Sequence, residues 1–206
     1  MSTLTTPTLP PPFFTGKHIL IRSLSPALDA PLYHSWLQNP VFLPYKPYLK
    51  RLCTTPVQLF SYLTLQAEVQ PLLEIEGLVI HKKTQIAIGM IGLAGIDRFN
   101  KKAEFSAGFV YGHGTHALGE AVHAGISLSF EHFDLHKLIF YVSPDNEQPL
   151  KIMQRYGFKH EGCLKEEILV DEQQRVDLHR FALMRRDWAE SRFHQRLNRI
   201  APLSHT

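Results

Sequence analysis

The chain has 206 residues, of which 44% are hydrophobic and 20% charged, and its formal net charge is +3. This length suits one well-packed domain and is short for two, and the composition is that of an ordinary globular protein. The sequence shows no cluster of Lys and Arg of the kind that nucleic-acid binding requires, and no apolar run that approaches the roughly 20 residues of a membrane span. We therefore expect no nucleic-acid partner and no membrane partner.

The cysteines and the chain ends bear on compartment and domain limits. Cys53 and Cys163 form neither a disulfide framework nor a Cys-x-x-Cys metal motif, which favours a reducing, cytoplasmic setting. Residues 1–12 are rich in Thr and Pro and carry no charge, which predicts a flexible tail rather than a signal peptide. We expect one domain over residues 13–190 and a C-terminal helix and tail over residues 191–206.

The first half of the chain predicts a strand, two helices and three further strands. His18–Leu24 is a β-branched run typical of a strand. Ser25-Pro26 and Thr55-Pro56 each place Pro after a capping residue, which predicts the start of a helix. Short polar turns separate the three later strands, which should form an antiparallel meander. These strands are Pro71–His81, Ile86–Asp97 and Ala103–Tyr111.

The second half predicts a βαβ unit, a helix and a hairpin. A loop rich in Gly and His, Tyr111–Leu118, leads into the largely apolar Gly119–Phe133, which predicts a buried helix. Lys137–Val142 is a short buried strand, and the order strand, helix, strand makes it parallel to the strand before the helix. The last elements are a helix over Glu147–Arg155 ending at Gly157, strands over Cys163–Asp171 and Arg175–Met184 around a turn at Glu172–Gln174, and a short helix with a polar tail over Arg186–Thr206.

Four stretches carry a resemblance to a known family: Thr15–Pro40, Ile88–Phe105, Glu120–Glu167 and Val176–Trp188. In their order and spacing they resemble the GNAT superfamily of N-acetyltransferases, and are closest to the ribosomal-protein N-terminal acetyltransferase-like subgroup and its small-amine relatives. The resemblance implies an α/β (α+β) GNAT fold with a mixed central sheet of about seven strands and helices on both faces. It also implies a splay between strands four and five, here Ala103–Tyr111 and Lys137–Val142.

The same resemblance implies a function. It indicates an acyl-CoA-dependent N-acetyltransferase that moves an acetyl group from acetyl-CoA directly to a primary amine, without a metal. The acceptor stays open between a peptide N-terminus and a small amine such as an amino sugar or a polyamine. A homodimer is one option for the oligomeric state. The alternative is a GNAT-fold binding or regulatory module without transferase activity.

The resemblance places the diphosphate of the cofactor at the loop that enters the long helix, where free N–H groups meet the positive end of the helix dipole. When the family pattern Arg/Gln-x-x-Gly-x-Gly/Ala is anchored on Glu120-Ala121, six loop residues precede Gly119. They are His113, Gly114, Thr115, His116, Ala117 and Leu118. His116 and Leu118 then occupy positions where the family has small residues, so they would block the phosphates unless the backbone follows another path through Gly112, Gly114 and Gly119.

Further roles follow from the resemblance on the splayed strand and beside it. Phe109 and Val110 would bind the pantetheine arm through backbone donors and acceptors, as in strand addition. Glu104 matches a position that often supplies a carboxylate base, and Ser106 shares its face. The alternative for Glu104 is a strand-end charge in a surface salt bridge. Asn146 would hold the cofactor or the neighbouring turn, or would instead cap the next helix.

Two further roles stay without a residue. Many relatives place a Tyr seven residues after the motif Asn to protonate the leaving thiolate. That position is Met153 here, and Tyr156 aligns elsewhere, so no general acid is identified. His116, Glu120 and His123 would share one helix face if the helix begins early, and a zinc site could then be considered. No further His or Cys completes such a site, so we expect no metal.

Overall fold

The computed structural model describes residues 9–42, 46–69, 72–112, 114–169, 174–200 and 202. In chain order the elements are β1 (Pro12–Thr15), β2 (Ile19–Ser23), α1 (Pro26–Leu37), α2 (Pro47–Leu52), α3 (Pro56–Glu68), β3 (Glu74–His81), β4 (Ile86–Asp97), β5 (Lys102–Phe109), α4 (His116–Glu131), β6 (Lys137–Val142), α5 (Glu147–Arg155), β7 (Lys159–Leu169), β8 (Arg175–Met184), α6 (Arg185–Trp188) and α7 (Arg192–Ile200). Of the turn predicted at Glu172–Gln174, only Gln174 lies within the described residues.

The eight strands form one open mixed sheet in the order β1-β2-β3-β4-β5-β6-β8-β7. Only the pair β5 and β6 runs parallel among the paired strands described. The predicted mixed α/β architecture is therefore confirmed. The sheet has eight strands rather than about seven because β1 adds an edge strand next to β2. Its Pro12 is compatible with a strand because it is the first residue of an edge strand.

The sheet opens between β5 and β6. The Cα partners of these strands are Lys102 with Lys137, Ala103 with Leu138 and Glu104 with Ile139. Beyond that point β5 stays paired with β4 as far as Phe109, and β6 stays paired with β8 as far as Val142. The two strands thus separate after Glu104, and the later part of β5 faces a gap. This is the splay that the resemblance implies.

Helices cover both faces of the sheet, and each face has its own core. On one face, which we call the α4 face, α4 packs on buried residues such as Phe105 and Phe140. On the other, which we call the α1–α3 face, the first three helices pack through residues such as Tyr33 and Leu59 on Leu78. Because side chains alternate along a strand, consecutive residues of β5 point to different faces.

The start of α4 differs from the prediction. The helix begins at His116 rather than Gly119, because Thr115 takes an extended N-cap conformation with φ −94° and ψ 161°. Gly119 is tolerated inside the helix because it allows Leu197 of α7 to pack closely: an added Cβ would lie 3.2 Å from Leu197 Cδ2. Three residues assigned to the loop therefore belong to the first helical turn.

The C-terminal helix α7 folds back on α4. His194 Nδ1 lies 3.0 Å from Nε2 of the buried His123, and Leu197 contacts the glycine position at 119. Later residues of α7 therefore meet earlier residues of α4, so the two helices run antiparallel. The end of α7 consequently lies beside the first turn of α4. Within the described residues, no helix combines the length and the apolar character that crossing a membrane requires.

Candidate active site

The loop before α4 is shaped by two glycines. Gly112 and Gly114 have φ values of +83° and +78°, in the left-handed region that other residues adopt only under strain. Gly112 is also confined, since an added Cβ would lie 3.0 Å from Leu118 Cδ1 and 3.2 Å from Thr115 Oγ1. The glycines that shape this loop therefore stand at 112 and 114, before positions 116 and 118, where the family has small residues. The predicted loop residue His113 lies outside the described residues.

The first turn of α4 has no side-chain cap. The Thr115 hydroxyl donates to the Gly112 carbonyl at 2.6 Å, and it accepts no hydrogen bond from the helix. The Thr115 N–H donates to the same carbonyl at 3.0 Å. The N–H groups of His116, Ala117 and Leu118 therefore stand uncapped by Thr115 at the positive end of a helix of 16 residues. Such a terminus is suited to a phosphate group.

The side chains of this turn leave the helix end accessible. Ala117 is buried and Leu118 packs against the α4-face core, so the obstruction predicted for Leu118 does not arise. His116 is exposed, and its ring meets that of His18 edge-on at 5.8 Å. Gly119 is half-buried beside α7. The backbone therefore reaches the surface at the start of the helix, as phosphate binding by N–H groups requires.

A cavity of about 420 Å³ adjoins this loop. It lies between the ends of β3 and β4, the loop and the first turn of α4. Its lining residues are His81, Thr84, Ile86, Ile88, Tyr111, Gly112, Thr115 and Ala117. None of these residues belongs to β6, so the cavity lies on the β4 side of β5 and not in the gap between β5 and β6.

The backbone of β5 distinguishes Phe109 from Val110. The Val110 N–H donates to the Ile88 carbonyl at 2.9 Å, so it is used within the sheet. The donor role predicted for Val110 is therefore wrong. Along an antiparallel pair the backbone groups alternate in direction, so those of Phe105, Ala107 and Phe109 point to the opposite edge of β5, towards the gap. Phe109 thus lies at the predicted edge, with its ring buried in the α4-face core.

On the α1–α3 face, Glu104 and Ser106 belong to a wider polar surface. The strand register aligns two rows across β3, β4 and β5: Glu74–Ala94–Glu104 and Glu76–Gly92–Ser106. The middle residue of each row has a small side chain or none. We call this surface, formed by Glu74, Glu76, Glu104 and Ser106, the carboxylate face. It brings three carboxyl groups and a hydroxyl group to one side of the sheet.

Lys46 is the cation beside this face. Its side chain is only 6% exposed, and its Nζ pairs with Glu74 and lies 2.9 Å from Glu76 Oε1. Tyr33 donates to the same Glu76 oxygen at 3.1 Å. Burial raises the pKa of the half-buried Glu104, and the positive charge of Lys46 opposes this in part. The pKa of Glu104 thus moves towards that of a general base.

Sequence reasoning missed Lys46, Glu74 and Glu76. The alternation of Glu74 and Glu76 along β3 places both on one face of a strand, and this was the one available signal. Tyr48 and Tyr62 were also missed. They share a hydrogen bond, and desolvation raises the pKa of both, with nearby carboxylates adding to the shift. Both phenols stay protonated at neutral pH and can donate hydrogen bonds.

The remaining predicted positions are spread more widely. Asn146 is half-buried at the N-cap of α5 but makes no capping hydrogen bond with its side chain. Met153 packs against the α4-face core, so it supplies no proton. Tyr156 lies against Phe193 of α7, with ring centroids 4.8 Å apart. None of these three positions provides a general acid next to Glu104.

The zinc trio considered from the sequence does not assemble. Glu120 is fully buried and accepts from the backbone N–H groups of Lys17 and His18 at 2.5 and 2.7 Å. His123 is also buried and pairs with His194. Among the residues that the structure describes, no three His, Cys, Asp or Glu side chains are placed to hold a metal ion. Glu120 instead ties α4 to the turn between β1 and β2.

Comparison with known families and structures agrees with this geometry. The acetyltransferase (GNAT) domain family matches residues 18–159, which is more than half of the chain. The chain belongs to the GNAT acetyltransferase family. The superfamily resemblance is thereby confirmed, and the predicted enzyme class, acyl-CoA-dependent N-acetyltransferase, is that of the family. The ribosomal-protein subgroup is not confirmed.

Individual relatives add detail. The chain is 29% identical over 112 residues to an uncharacterized N-acetyltransferase, p20, of Bacillus licheniformis, a match that covers 54% of this chain and 62% of that protein. It thus spans less than two thirds of that relative. A chimeric spermidine N-acetyltransferase from Vibrio cholerae and hSSAT is similar in fold, with a TM-score of 0.71, 20% identity and coverage of 84% and 99% of the two chains. A Vibrio cholerae spermidine N-acetyltransferase in complex with CoA and spermine has a TM-score of 0.69, 19% identity and coverage of 82% and 96%.

Proposed function

We propose that the protein transfers the acetyl group of acetyl-CoA to a primary amine of a small, positively charged acceptor. The observation that carries this proposal is the arrangement around β5. One edge of this strand faces the gap next to the uncapped start of α4. The side chains of Glu104 and Ser106 belong to the carboxylate face of the same strand.

The residues around the gap fit the cofactor. The first-turn N–H groups of α4, from His116 to Leu118, and the loop residues Gly114 and Thr115 are suited to its diphosphate. The edge of β5 that includes Phe109 is suited to strand addition by the pantetheine arm. Asn146 lies at the start of α5 with a side chain that is not used in capping. When bound, the cofactor supplies an acetyl thioester.

Glu104 is the proposed base. A primary alkylammonium has a pKa of about 10.4 and cannot attack until it loses a proton. Burial raises the pKa of Glu104, which makes this carboxylate a stronger base than an exposed one. Ser106 lies two residues along on the same face, where its hydroxyl can orient the amine by a hydrogen bond. The ammonium group would first give one proton to a Glu104 oxygen, and the free amine would then attack the acetyl carbon. The carbon–sulfur bond would break in the same transfer, and the departing thiolate would take up the second proton that the nitrogen loses.

The charge of the carboxylate face favours a cationic acceptor. Among the described residues, the three carboxyl groups of this face are set against one ammonium group, that of Lys46. Similarity to spermidine acetyltransferases supports a polyamine as the first acceptor to test. The second candidate is a peptide N-terminus, which the resemblance to the ribosomal-protein subgroup favours. A solved structure of the Vibrio cholerae enzyme is dodecameric, and for this chain we propose self-association, with the homodimer as the smallest form.

The decisive experiment measures binding and turnover separately. Acetyl-CoA should raise the melting temperature, because a ligand of the native state stabilises it, and release of free thiol should follow when spermidine is added. Glu104→Gln should keep the thermal shift and lose turnover, whereas Glu68→Gln at an exposed site of α3 should change neither. A peptide with a free N-terminus tests the second acceptor. Binding without thiol release from any amine would instead support the module without transferase activity, and no thermal shift would refute the cofactor site.

A further inference from the structure

A second cavity, of about 440 Å³, lies between α5 and α7 and is lined mostly by arginine. Its lining residues are Arg155, Tyr156, Arg192, Arg196 and Arg199. Four guanidinium groups around one small cavity form a strongly positive site. Three of the four arginines belong to α7, which lies beyond the residues 18–159 that match the acetyltransferase family.

Within the part of the chain that the structure describes, these arginines are not neutralised by acidic side chains. Among the salt bridges between described residues, none includes any of the four. Arg155 lies over the Tyr156 ring at 5.8 Å. A basic cavity without a carboxylate partner is a site where an anion would relieve repulsion between cations.

The sequence of α7 places its charges on one side at a cost to helix stability. Arg192, Arg196 and Arg199 follow a spacing of four and three residues, so they are neighbours on the helix surface, where like charges repel. Phe193 and Leu197 follow the same spacing one position along and pack against the α4-face core. The apolar side of α7 is therefore used for packing, and its arginine side is left for another partner.

The position of the cavity indicates which anion it would take. Leu197 contacts the glycine position at 119 in the first turn of α4, and Arg196 is its immediate neighbour in the chain. The arginine cavity is therefore close to the helix end proposed for the diphosphate. A ligand that extends from this helix end towards α5 would bring any further phosphate group to these arginines.

We infer that the arginine cavity binds the 3′-phosphate of the CoA moiety. This inference rests on the proposed function. A phosphate monoester carries close to two negative charges and three acceptor oxygens, and arginine matches it with paired, charge-assisted hydrogen bonds. The cavity is of a size for one phosphorylated group of a small molecule. An extended polyanion would instead need a continuous basic surface. The shared chemistry is a phosphate monoester, and free phosphate is the other source to distinguish.

The test compares acetyl-CoA with 3′-dephospho-acetyl-CoA by calorimetry, in the wild-type protein, in Arg196→Gln/Arg199→Gln and in the control Arg98→Gln. Arg98 is an exposed arginine in the turn after β4. We expect the double variant to bind acetyl-CoA about tenfold or more weakly and to bind the dephospho form as the wild type does. The control should match the wild type with both ligands. Far-ultraviolet circular dichroism checks that α7 remains folded in the double variant.

Several outcomes would overturn the inference. If the wild type binds both forms equally, or if the double variant weakens both by the same factor, the cavity does not recognise the 3′-phosphate. If inorganic phosphate at millimolar concentration binds to the wild type but not to the double variant, while the two CoA forms bind alike, the site takes free phosphate. If neither form binds the wild type, the proposed function fails together with the inference. If the wild-type protein binds the dephospho form as tightly as acetyl-CoA, the inference is refuted while the proposed function stands.

Discussion

The loop before α4 can be tested by placing alanine at each of its two left-handed glycines. At Gly114, with φ +78°, an added Cβ meets no atom within 4 Å, so only backbone strain counts. That strain is about 1–2 kcal/mol for a residue with a side chain. At Gly112, with φ +83°, the same strain applies, and the Cβ also lies 3.0 Å from Leu118 Cδ1 and 3.2 Å from Thr115 Oγ1. Overpacking of this kind adds about 1–3 kcal/mol.

Gly114→Ala is therefore expected to lower the free energy of unfolding by about 1–2 kcal/mol, and Gly112→Ala by about 2–5 kcal/mol when the overpacking is added. Urea denaturation monitored by circular dichroism measures both values, with the slope m as the check that unfolding stays two-state. Calorimetry with acetyl-CoA then measures affinity in each folded variant. Because the Cβ at Gly114 projects into open space beside the helix end, we expect Gly114→Ala to weaken affinity more than its effect on stability alone would suggest.

The comparison between the two variants is what tests the reasoning. Equal losses of stability at Gly112 and Gly114 would show that packing by Leu118 does not confine the loop. Unchanged affinity in Gly114→Ala would show that the backbone at this position does not approach the diphosphate. A Gly114→Asn variant serves as a matched control, since Asn tolerates left-handed φ better than Ala. Its free energy of unfolding should lie between those of the wild type and Gly114→Ala, while its side chain still fills the open space beside the helix end.

Three further predictions concern single side chains. Asp29→Asn should lower the free energy of unfolding by about 3–5 kcal/mol, since Asp29 and Arg22 form a buried ion pair with oxygen–nitrogen distances of 2.7 Å; urea denaturation tests this. Burial lowers the pKa of His194 from 6.5, so wild-type stability should fall as pH drops below that value, because the unfolded chain takes up a proton that the folded chain does not. In His194→Gln the free energy of unfolding should depend less steeply on pH below 6.5. An unchanged dependence would contradict the role of burial beside His123. Burial raises the pKa of Glu104 above 4.5, so the free energy of unfolding of the wild type should fall as pH rises through the raised pKa, and that of Glu104→Gln should not. The turnover of Glu104→Gln should be lowered most at neutral pH and least at high pH. A uniform loss of turnover across pH would remove Glu104 from the role of base.

The order of strands and helices was predictable from local signals. The Ser25-Pro26 and Thr55-Pro56 pairs mark the starts of α1 and α3, and the second forms a capping box with Gln58. Local signals failed where packing decides. The position of Gly119 suggested the start of α4, but the helix continues through it, and its small size lets Leu197 of α7 pack closely. The short edge strand β1 was not predicted: its first residue, Pro12, was assigned to the tail, and the first strand was expected only at His18–Leu24.

The candidate site was predictable only in part. Glu104 and Ser106 came from resemblance, and alternation along one strand predicts that they share a face. Glu74 and Glu76 lie on another strand, so their position beside Glu104 depends on the register of β3, β4 and β5. Lys46 reaches this face from the start of α2, which no sequence pattern indicated. The arginine cavity depends on the return of α7 to α4, a tertiary contact that periodicity does not report.

The alternating directions of backbone groups and side chains along β5 explain how one short strand can face both the gap and the carboxylate face. Residues 105, 107 and 109 direct their backbone groups to the gap, while Glu104 and Ser106 direct their side chains to the carboxylate face. A shift of one residue against β4 would exchange these sets, so that both the base and the backbone edge would be misplaced. Gly89 permits the observed register, because an added Cβ there would lie 2.3 Å from the Gly108 carbonyl oxygen and 2.5 Å from Phe109 Cδ1. A side chain at this position would therefore displace β5 from the register in which an amine at Glu104 and a thioester in the gap would meet across the same strand.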